Sequence, residues 1–127
     1  FSLALVDIDN FKTINDTWGH LNGDIVLRNV AREGLQILQP LQISLYRYGG
    51  EEFAVLFAAG HNDNALMLLE SWRARVAQRS WREEGLTVTF SAGLGEWNME
   101  PLEQLVVSVD EALYKAKQQG KNRIVRT

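Results

Sequence analysis

The stretch "RYGGEEF" at residues 47–53 separates two apolar segments, "LQISLY" before it and "FAVLFAA" after it. Two apolar segments joined by a Gly-Gly pair predict a β-hairpin with strands near 42–48 and 52–58, because glycine tolerates the positive φ angles of tight hairpin turns. Two adjacent carboxylates, Glu51 and Glu52, then stand at the start of the second strand. A solvated turn is often acidic, so this pair alone does not establish a functional site.

The composition is typical of a single folded domain. The chain has 127 residues, 46% of them hydrophobic, and a formal net charge of −3. A domain of this length can bury a core without crosslinks. The absence of cysteine excludes disulfides and thiolate metal sites, and the isolated His20 and His61 argue against a histidine-built zinc site. The acidic balance offers no basic field for a nucleic-acid backbone, so we expect no nucleic-acid partner.

The sequence shows no membrane-spanning run and no signal-peptide pattern. The longest apolar run, residues 53–59, is too short to span a bilayer, and no signal-peptide pattern precedes it. The chain begins at Phe1 inside an apolar run, so we interpret residues 1–127 as one domain truncated at its N-terminus. We expect this domain to be cytoplasmic and to make no membrane contact, although the parent protein can be membrane-anchored.

The remaining periodicities predict an α+β domain. The element order is strand, helices, hairpin, helix, strand, helix, strand, and we expect the helices to segregate to one face of a mixed sheet. The predicted strands outside the hairpin cover residues 2–9, 86–97 and 122–127. The predicted helices cover residues 10–19, 23–39, 62–80 and 99–120.

Several residues are placed to begin or end these helices. Asn10 is a candidate N-cap of the first helix, and Gly19 is a candidate stop at its end. Asn62 or Asp63 is the expected N-cap of the third helix. Gly120 lies just past the end of the last helix, where glycine is favoured.

A second pair of acids, Asp7 and Asp9, ends the first predicted strand. In this topology we expect the first strand to lie beside the hairpin in the sheet. Side chains alternate along a strand, so these two acids share a face and would point toward Glu51 and Glu52. Four gathered carboxylates repel one another unless a cation neutralises them, and hard oxygen ligands suit Mg²⁺ or Mn²⁺. Acids commonly end strands, but the two pairs together favour metal-assisted phosphoryl chemistry.

Cationic and amide side chains supply candidate nucleotide contacts. Lys117 and Lys121, four residues apart on one helix face, can reach a single triphosphate, and Lys12 adds a third cation. A solvated helix end favoured by the macrodipole explains the lysine pair equally well. Asn15 and Asp24 can hydrogen-bond a base edge, with Asp24 accepting from a guanine amine. Their alternatives are a polar residue inside a helix and the N-cap of the long helix.

Taken in order, the motifs resemble a known family. "LVDIDNFKTINDTWGHLNGD", "RYGGEEF" and "AKQQGKNR" are similar to the GGDEF family of diguanylate cyclases over nearly the whole chain. The resemblance implies a palm-like, ferredoxin-related α+β fold. It also implies condensation of two GTP molecules into the bacterial second messenger cyclic di-GMP, with release of pyrophosphate. Mg²⁺ or Mn²⁺ would be the cofactor, and catalysis would need a homodimer, although we expect the fragment alone to be mainly monomeric.

The resemblance further implies roles for individual residues. Asp7 and Glu51 would bind the metal through their carboxylates and Ile8 through its carbonyl, while Glu51 would also help deprotonate the ribose 3′-hydroxyl. Lys12 would stabilise charge on the transferring phosphate. Lys121 stands where the family commonly has arginine, which keeps the charge but loses a bidentate grip. The implied substrate contacts are Phe11, Lys12, Asn15, His20, Asp24, Gly49, Gly50, Lys117 and Lys121.

Two departures from the family pattern bear on regulation. "PLQI" at residues 40–43 stands where many members carry Arg-x-x-Asp of an inhibitory product site, so we expect no strong product inhibition. The Asp-x-Leu-Thr-like segment and helix that usually precede the first strand are not part of this sequence. Two alternative functions stay open: an inactive GGDEF module that binds GTP or cyclic di-GMP as a receptor, and another nucleotidyl transferase on the palm fold. The complete signature favours the cyclase.

Overall fold

A five-stranded mixed sheet in the order β2-β3-β1-β4-β5 organises the molecule, which is described by a computed structural model covering residues 1–127. The strands are β1 (Ser2–Ile8), β2 (Leu45–Arg47), β3 (Glu52–Phe57), β4 (Phe90–Glu96) and β5 (Ile124–Arg126). The helices are α1 (Phe11–Trp18), α2 (His20–Leu38), α3 (Ala65–Gln78) and α4 (Leu102–Gln118), with 3₁₀ turns at Gln39–Leu41 and Ala59–Asn64. The predicted element order is confirmed.

Strand β1 lies at the centre of the sheet and pairs antiparallel with both β3 and β4, while β5 pairs parallel with β4. The predicted contact between the first strand and the hairpin is therefore confirmed. In this register Asp7 lies opposite Glu52 on one side and opposite Ser91 on the other. The acidic end of β1 is thus brought directly to the hairpin.

The larger core lies on the face of the sheet covered by α2 and α3. Alternate residues of β1, including Val6 and Ile8, are buried there. Trp72 of α3 is fully buried beside them and donates from Nε1 to the Val30 carbonyl at 2.9 Å, which ties α3 to α2. A Cβ on Gly34 would lie 2.7 Å from the Trp72 ring, so glycine is needed where the two helices cross.

Helix α4 packs on the opposite face, where Val109 and Leu113 surround Leu5 of β1. The expectation that all helices lie on one face is therefore wrong. The reason is the apolar stripe of α4, which fits closely over β4 because that strand carries Gly93 and Gly95 on this face. A Cβ on Gly93 would overlap the Val109 carbonyl oxygen and lie 2.7 Å from the Leu113 nitrogen.

We expect Gly93→Ala to lower the free energy of unfolding by about 2–3 kcal/mol, because the added methyl group meets helix backbone that cannot rotate aside. Chemical denaturation followed by circular dichroism measures the change. Gly60→Ala is the matched control, since a Cβ there meets no atom within 4 Å. Equal stability of the two variants would show that α4 can shift away from β4 without loss.

Helix starts differ from the sequence expectations more than helix ends do. Helix α2 begins at His20 and not at 23, so Asp24 lies inside the helix and the N-cap alternative for it is wrong. Helix α3 has Asn64 at its N-cap position, so the expectation of Asn62 or Asp63 is also wrong. Asn62 instead accepts from the Ser2 hydroxyl and donates to Glu96. Tertiary partners therefore outcompete local capping there.

Two cap positions agree with the sequence, although their bonding differs from the usual pattern. Asn10 occupies the N-cap position of α1, but its φ of 56° is left-handed and its side chain makes no cap bond. Gly19, with a φ of 89°, ends α1 and directly precedes α2. None of the four helices combines the length and the apolarity needed to cross a bilayer.

Candidate active site

The hairpin loop connects β2 to β3 through four residues, 48–51. Neither Gly49 nor Gly50 has a positive φ, so the expectation that they supply the positive φ angles of a tight hairpin turn is wrong. A four-residue loop distributes the reversal of chain direction over more dihedral angles, so no residue in it needs a positive φ. Arg47 holds it closed by donating from Nε to the Gly49 carbonyl at 3.2 Å and from Nη2 to the Gly50 carbonyl at 2.6 Å.

Three carboxylates gather where this loop meets the end of β1. Burial raises the pKa of Asp7, and the nearby Lys117 offsets only part of that rise. Burial, followed by the charge of Asp7, also raises the pKa values of Glu51 and Glu52. The loop and the strand end therefore concentrate negative charge at one half-buried place.

Asp9 does not join these acids, contrary to the expectation of four facing carboxylates. Its side chain is 1% exposed and lies against β4 and the turn after α4. It accepts hydrogen bonds from the Thr89 and Ser91 hydroxyls, each at 2.7 Å, and from the Asn122 amide at 3.0 Å. Burial acts to raise its pKa, but these bonds and the one from Lys117 outweigh burial and hold the pKa of Asp9 below its ordinary value.

The two C-terminal lysines point toward the end of β1. Lys117 Nζ lies 3.0 Å from Asp9 Oδ1 and 3.4 Å from Asp7 Oδ1, and it donates to the Ile8 carbonyl at 3.4 Å. Lys121 Nζ donates to Asn10 Oδ1 at 2.5 Å. Lys117 therefore contacts the end of β1, so the alternative that it is only a solvated residue at the end of a helix is wrong.

A cavity of about 360 Å³ opens between α1, α2 and the hairpin loop. Its lining residues are Phe11, Lys12, Asn15, His20, Asp24, Leu27, Arg47, Gly50 and Glu51. Sequence analysis singled out all of these except Leu27 and Arg47. A larger cavity of about 830 Å³ lies at the other end of the sheet, between β4, β5 and α3, away from the acids of β1 and the hairpin.

One amide in this cavity lacks a partner. Asn15 Oδ1 is buried and makes no hydrogen bond, which is rare for a native polar atom. The atom lies against Gly23 of α2, where a Cβ would overlap it. Gly23 is a site residue that sequence reasoning missed, since its only signal is a glycine inside a helix.

The candidate residues therefore form two adjacent groups. The cavity group contains Asn15 and Asp24, and the strand-end group contains Asp7, the Ile8 carbonyl and Lys117. Glu51 belongs to both groups. Gly49 lies outside the cavity lining, and a Cβ there would lie 3.2 Å from Glu52 Oε2. No three His, Cys, Asp or Glu side chains are arranged to hold a metal ion by themselves.

The charge cluster has a consequence for stability. A carboxyl with a raised pKa holds its proton more tightly in the folded state, so the free energy of unfolding falls as pH rises through that pKa. Glu51→Gln should therefore raise Tm by about 1–2 °C at pH 7 in EDTA and leave it unchanged near pH 3. Thermal unfolding measures the change in Tm. Glu84→Gln is the control, because Glu84 is an exposed glutamate elsewhere in the chain. A lower Tm for Glu51→Gln at pH 7 would show that the ionised Glu51 carboxylate does not destabilise the fold.

Comparison with known proteins places this geometry in a family. The family model described as "Diguanylate cyclase, GGDEF domain" matches residues 1–123. The chain belongs to the GGDEF family. This GGDEF domain is 35% identical over 127 residues to the diguanylate cyclase DosC of Escherichia coli (strain K12), covering 97% of this chain and 27% of DosC. It therefore spans about a quarter of the length of that relative.

Solved structures give the same family. The coiled coil and GGDEF domain of DgcB from Caulobacter crescentus, in complex with c-di-GMP, matches this GGDEF domain with a TM-score of 0.89 and 35% identity, covering 99% of this chain and 69% of that one. The active GGEEF domain of a diguanylate cyclase from Vibrio cholerae matches with a TM-score of 0.89 and 34% identity, covering 98% of this chain and 81% of that one. The α+β fold class expected from the sequence is confirmed.

Proposed function

We propose that this GGDEF domain condenses two GTP molecules into cyclic di-GMP with release of pyrophosphate. One observation carries the proposal: the end of β1 and the hairpin loop bring Asp7, Glu51 and the Ile8 carbonyl beside a cavity that contains the unpaired Oδ1 of Asn15. Relatives named as diguanylate cyclases at 35% identity or more support the same chemistry.

The donor set fits a hard divalent cation. Asp7 and Glu51 are carboxylates whose pKa values are raised by burial, and no cysteine or histidine lies among them. Two carboxylates and the Ile8 carbonyl leave coordination positions for water and phosphate oxygens, as Mg²⁺ prefers and as Mn²⁺ accepts. When bound, the metal would supply Lewis-acid polarisation of the ribose 3′-hydroxyl and the α-phosphate.

The cavity supplies the base-recognition groups. Asn15 Oδ1 would accept from a guanine N–H, which satisfies its missing hydrogen bond. Asp24 on α2 would accept from the 2-amino group, and Phe11 and His20 line the same cavity. An adenine lacks the 2-amino group and the N1 proton, so this arrangement favours GTP over ATP.

The remaining residues act on the phosphates and the nucleophile. Glu51 would accept the proton of the 3′-hydroxyl as that oxygen attacks the α-phosphate of the second GTP, and pyrophosphate leaves with the bond electrons. Lys12 would stabilise the charge that develops on the transferring phosphate. Lys117 and Lys121 would hold the β- and γ-phosphates. Two such attacks close the cyclic product.

Each domain has one such cavity, so both attacks require two domains that face each other around a two-fold axis. We therefore propose a homodimer as the catalytic form, acting in the cytoplasm where GTP is made. The test is chromatographic detection of cyclic di-GMP and pyrophosphate from the chain fused to a dimeric coiled coil, supplied with GTP and Mg²⁺. GTP binding without any product would overturn the proposal and favour the receptor alternative.

The guanine assignment has its own test. Asp24→Ala should weaken GTP binding about 10- to 100-fold, because a charge-assisted hydrogen bond to the 2-amino group is lost. Inosine triphosphate lacks that amine, so its affinity should change much less. Calorimetric titration of both nucleotides, with Asp63→Ala as an exposed-acid control, measures the difference. Equal losses for both nucleotides would show that Asp24 does not read the base.

A further inference from the structure

Asp9 is the most highly coordinated carboxylate near the site, yet the proposed chemistry leaves it without a role. We propose that Asp9 is a positioning residue, which fixes the lysines of the triphosphate clamp, Lys117 and Lys121, at the end of β1 and does not bind the divalent metal. The inference rests on the proposed function and deepens it.

Both oxygens of Asp9 are already fully engaged by the protein. Oδ1 accepts from the Ser91 hydroxyl at 2.7 Å and lies 3.0 Å from Lys117 Nζ. Oδ2 accepts from the Thr89 hydroxyl at 2.7 Å and from the Asn122 amide at 3.0 Å. A carboxylate has about four lone-pair sites, and four donors occupy them. A metal could bind Asp9 only by displacing buried donors, whereas Asp7 has no hydroxyl or amide donor.

The hold on Lys117 is direct. Its ammonium group contacts Asp9 at 3.0 Å and Asp7 at 3.4 Å, so it keeps one carboxylate partner when Asp7 turns to a metal. A free lysine side chain samples many rotamers, and ordering it on binding weakens affinity. Asp9 imposes that order before the nucleotide arrives.

The hold on Lys121 passes through the backbone. Lys121 and Asn122 have φ angles of 65° and 49°. Asparagine tolerates this left-handed conformation, but it is unfavourable for lysine unless the surroundings impose it. The bond from the Asn122 amide to Asp9 fixes this turn from the β1 side. The Lys121 ammonium then reaches Asn10 Oδ1 at 2.5 Å, next to the cavity wall formed by Phe11.

The experiment compares Asp9→Asn with Asp7→Asn in the full chain. Binding of Mn²⁺ without nucleotide is measured by electron paramagnetic resonance, and binding of GTP and of guanosine monophosphate in EDTA is measured by NMR titration. Asp9→Asn should change Mn²⁺ affinity less than about threefold, whereas Asp7→Asn should lower it more than about tenfold. Asp9→Asn should lower the affinity for GTP about tenfold and the affinity for the monophosphate less than twofold, because only GTP carries the phosphates that the lysines reach.

Two results would overturn the role of Asp9. An equal loss of Mn²⁺ affinity in both variants would make Asp9 a metal ligand. Unchanged or tighter GTP binding by Asp9→Asn would mean that Asp9 only neutralises Lys117. If Asp9→Asn does not fold, the double variant Thr89→Val, Ser91→Ala is used instead. It keeps the Asp9 charge and removes the two hydroxyls that hold the carboxylate. Its affinity for GTP must then fall more than its affinity for the monophosphate. Failure of the unaltered chain to bind GTP would instead overturn the proposed function.

Discussion

Asp7→Asn and Glu51→Gln should each reduce cyclic di-GMP formation about 1,000-fold while the domain stays folded. Both substitutions preserve size and remove one negative charge. Asp7 lies on the central strand and Glu51 on the hairpin loop, so neither residue can replace the other. Loss of either carboxylate leaves one side-chain ligand, because no third acid is arranged to share a metal ion.

The rate is measured as product per minute by ion-exchange chromatography, with the chain held as a dimer by a fused coiled coil. Glu84→Gln is a matched control that removes an exposed carboxylate from another loop. Circular dichroism establishes that each variant is folded. Turnover above about a tenth of the unaltered rate in Asp7→Asn or Glu51→Gln would exclude that carboxylate from the metal site.

Gly23→Ala should weaken GTP binding about 10- to 100-fold and leave the fold intact or slightly more stable. The added Cβ would overlap Asn15 Oδ1, so the Asn15 side chain must move and its proposed hydrogen bond to the base would be lost. Alanine is favoured over glycine inside a helix by about 1 kcal/mol, which offsets the cost of moving one flexible side chain.

Calorimetric titration with GTP and thermal unfolding of the same sample separate the two effects of Gly23→Ala. Gly60→Ala is the control, because Gly60 is not among the residues that line the cavity and a Cβ there meets no atom within 4 Å. Unchanged GTP affinity in Gly23→Ala would mean that Asn15 recognises nothing in its observed position. A large fall in Tm would mean that Gly23 serves packing.

The sequence predicted the features that depend on local pattern. The apolar first strand, the apolar runs around "RYGGEEF" and the predicted α+β topology were enough to pair the first strand with the hairpin and to bring Asp7 to Glu52. Most residues that line the cavity, such as Asn15 and Asp24, were also identified, through resemblance combined with hydrogen-bonding chemistry.

The features that the sequence did not predict depend on contacts between distant residues. Helix α4 covers the second face of the sheet because Gly93 meets Val109, and a helical period does not say which face a helix will cover. Asp9 turns away from the hairpin because Thr89 and Asn122 bind it, and both lie more than 75 residues away in sequence. Arg47 stabilises the hairpin loop by donating hydrogen bonds to the Gly49 and Gly50 carbonyls, and nothing in its sequence position signals that role.

The two carboxylates proposed as metal ligands lie on different kinds of backbone, and this affects how the folded molecule opens. Asp7 belongs to β1, which is hydrogen-bonded on both sides, so its amides exchange with solvent only when the whole sheet comes apart. Glu51 belongs to an exposed loop beside the three-residue edge strand β2. Such a loop opens at far lower free energy than a central strand. The proposed metal site can therefore lose and regain its Glu51 ligand through local opening of the loop, while the domain as a whole stays folded.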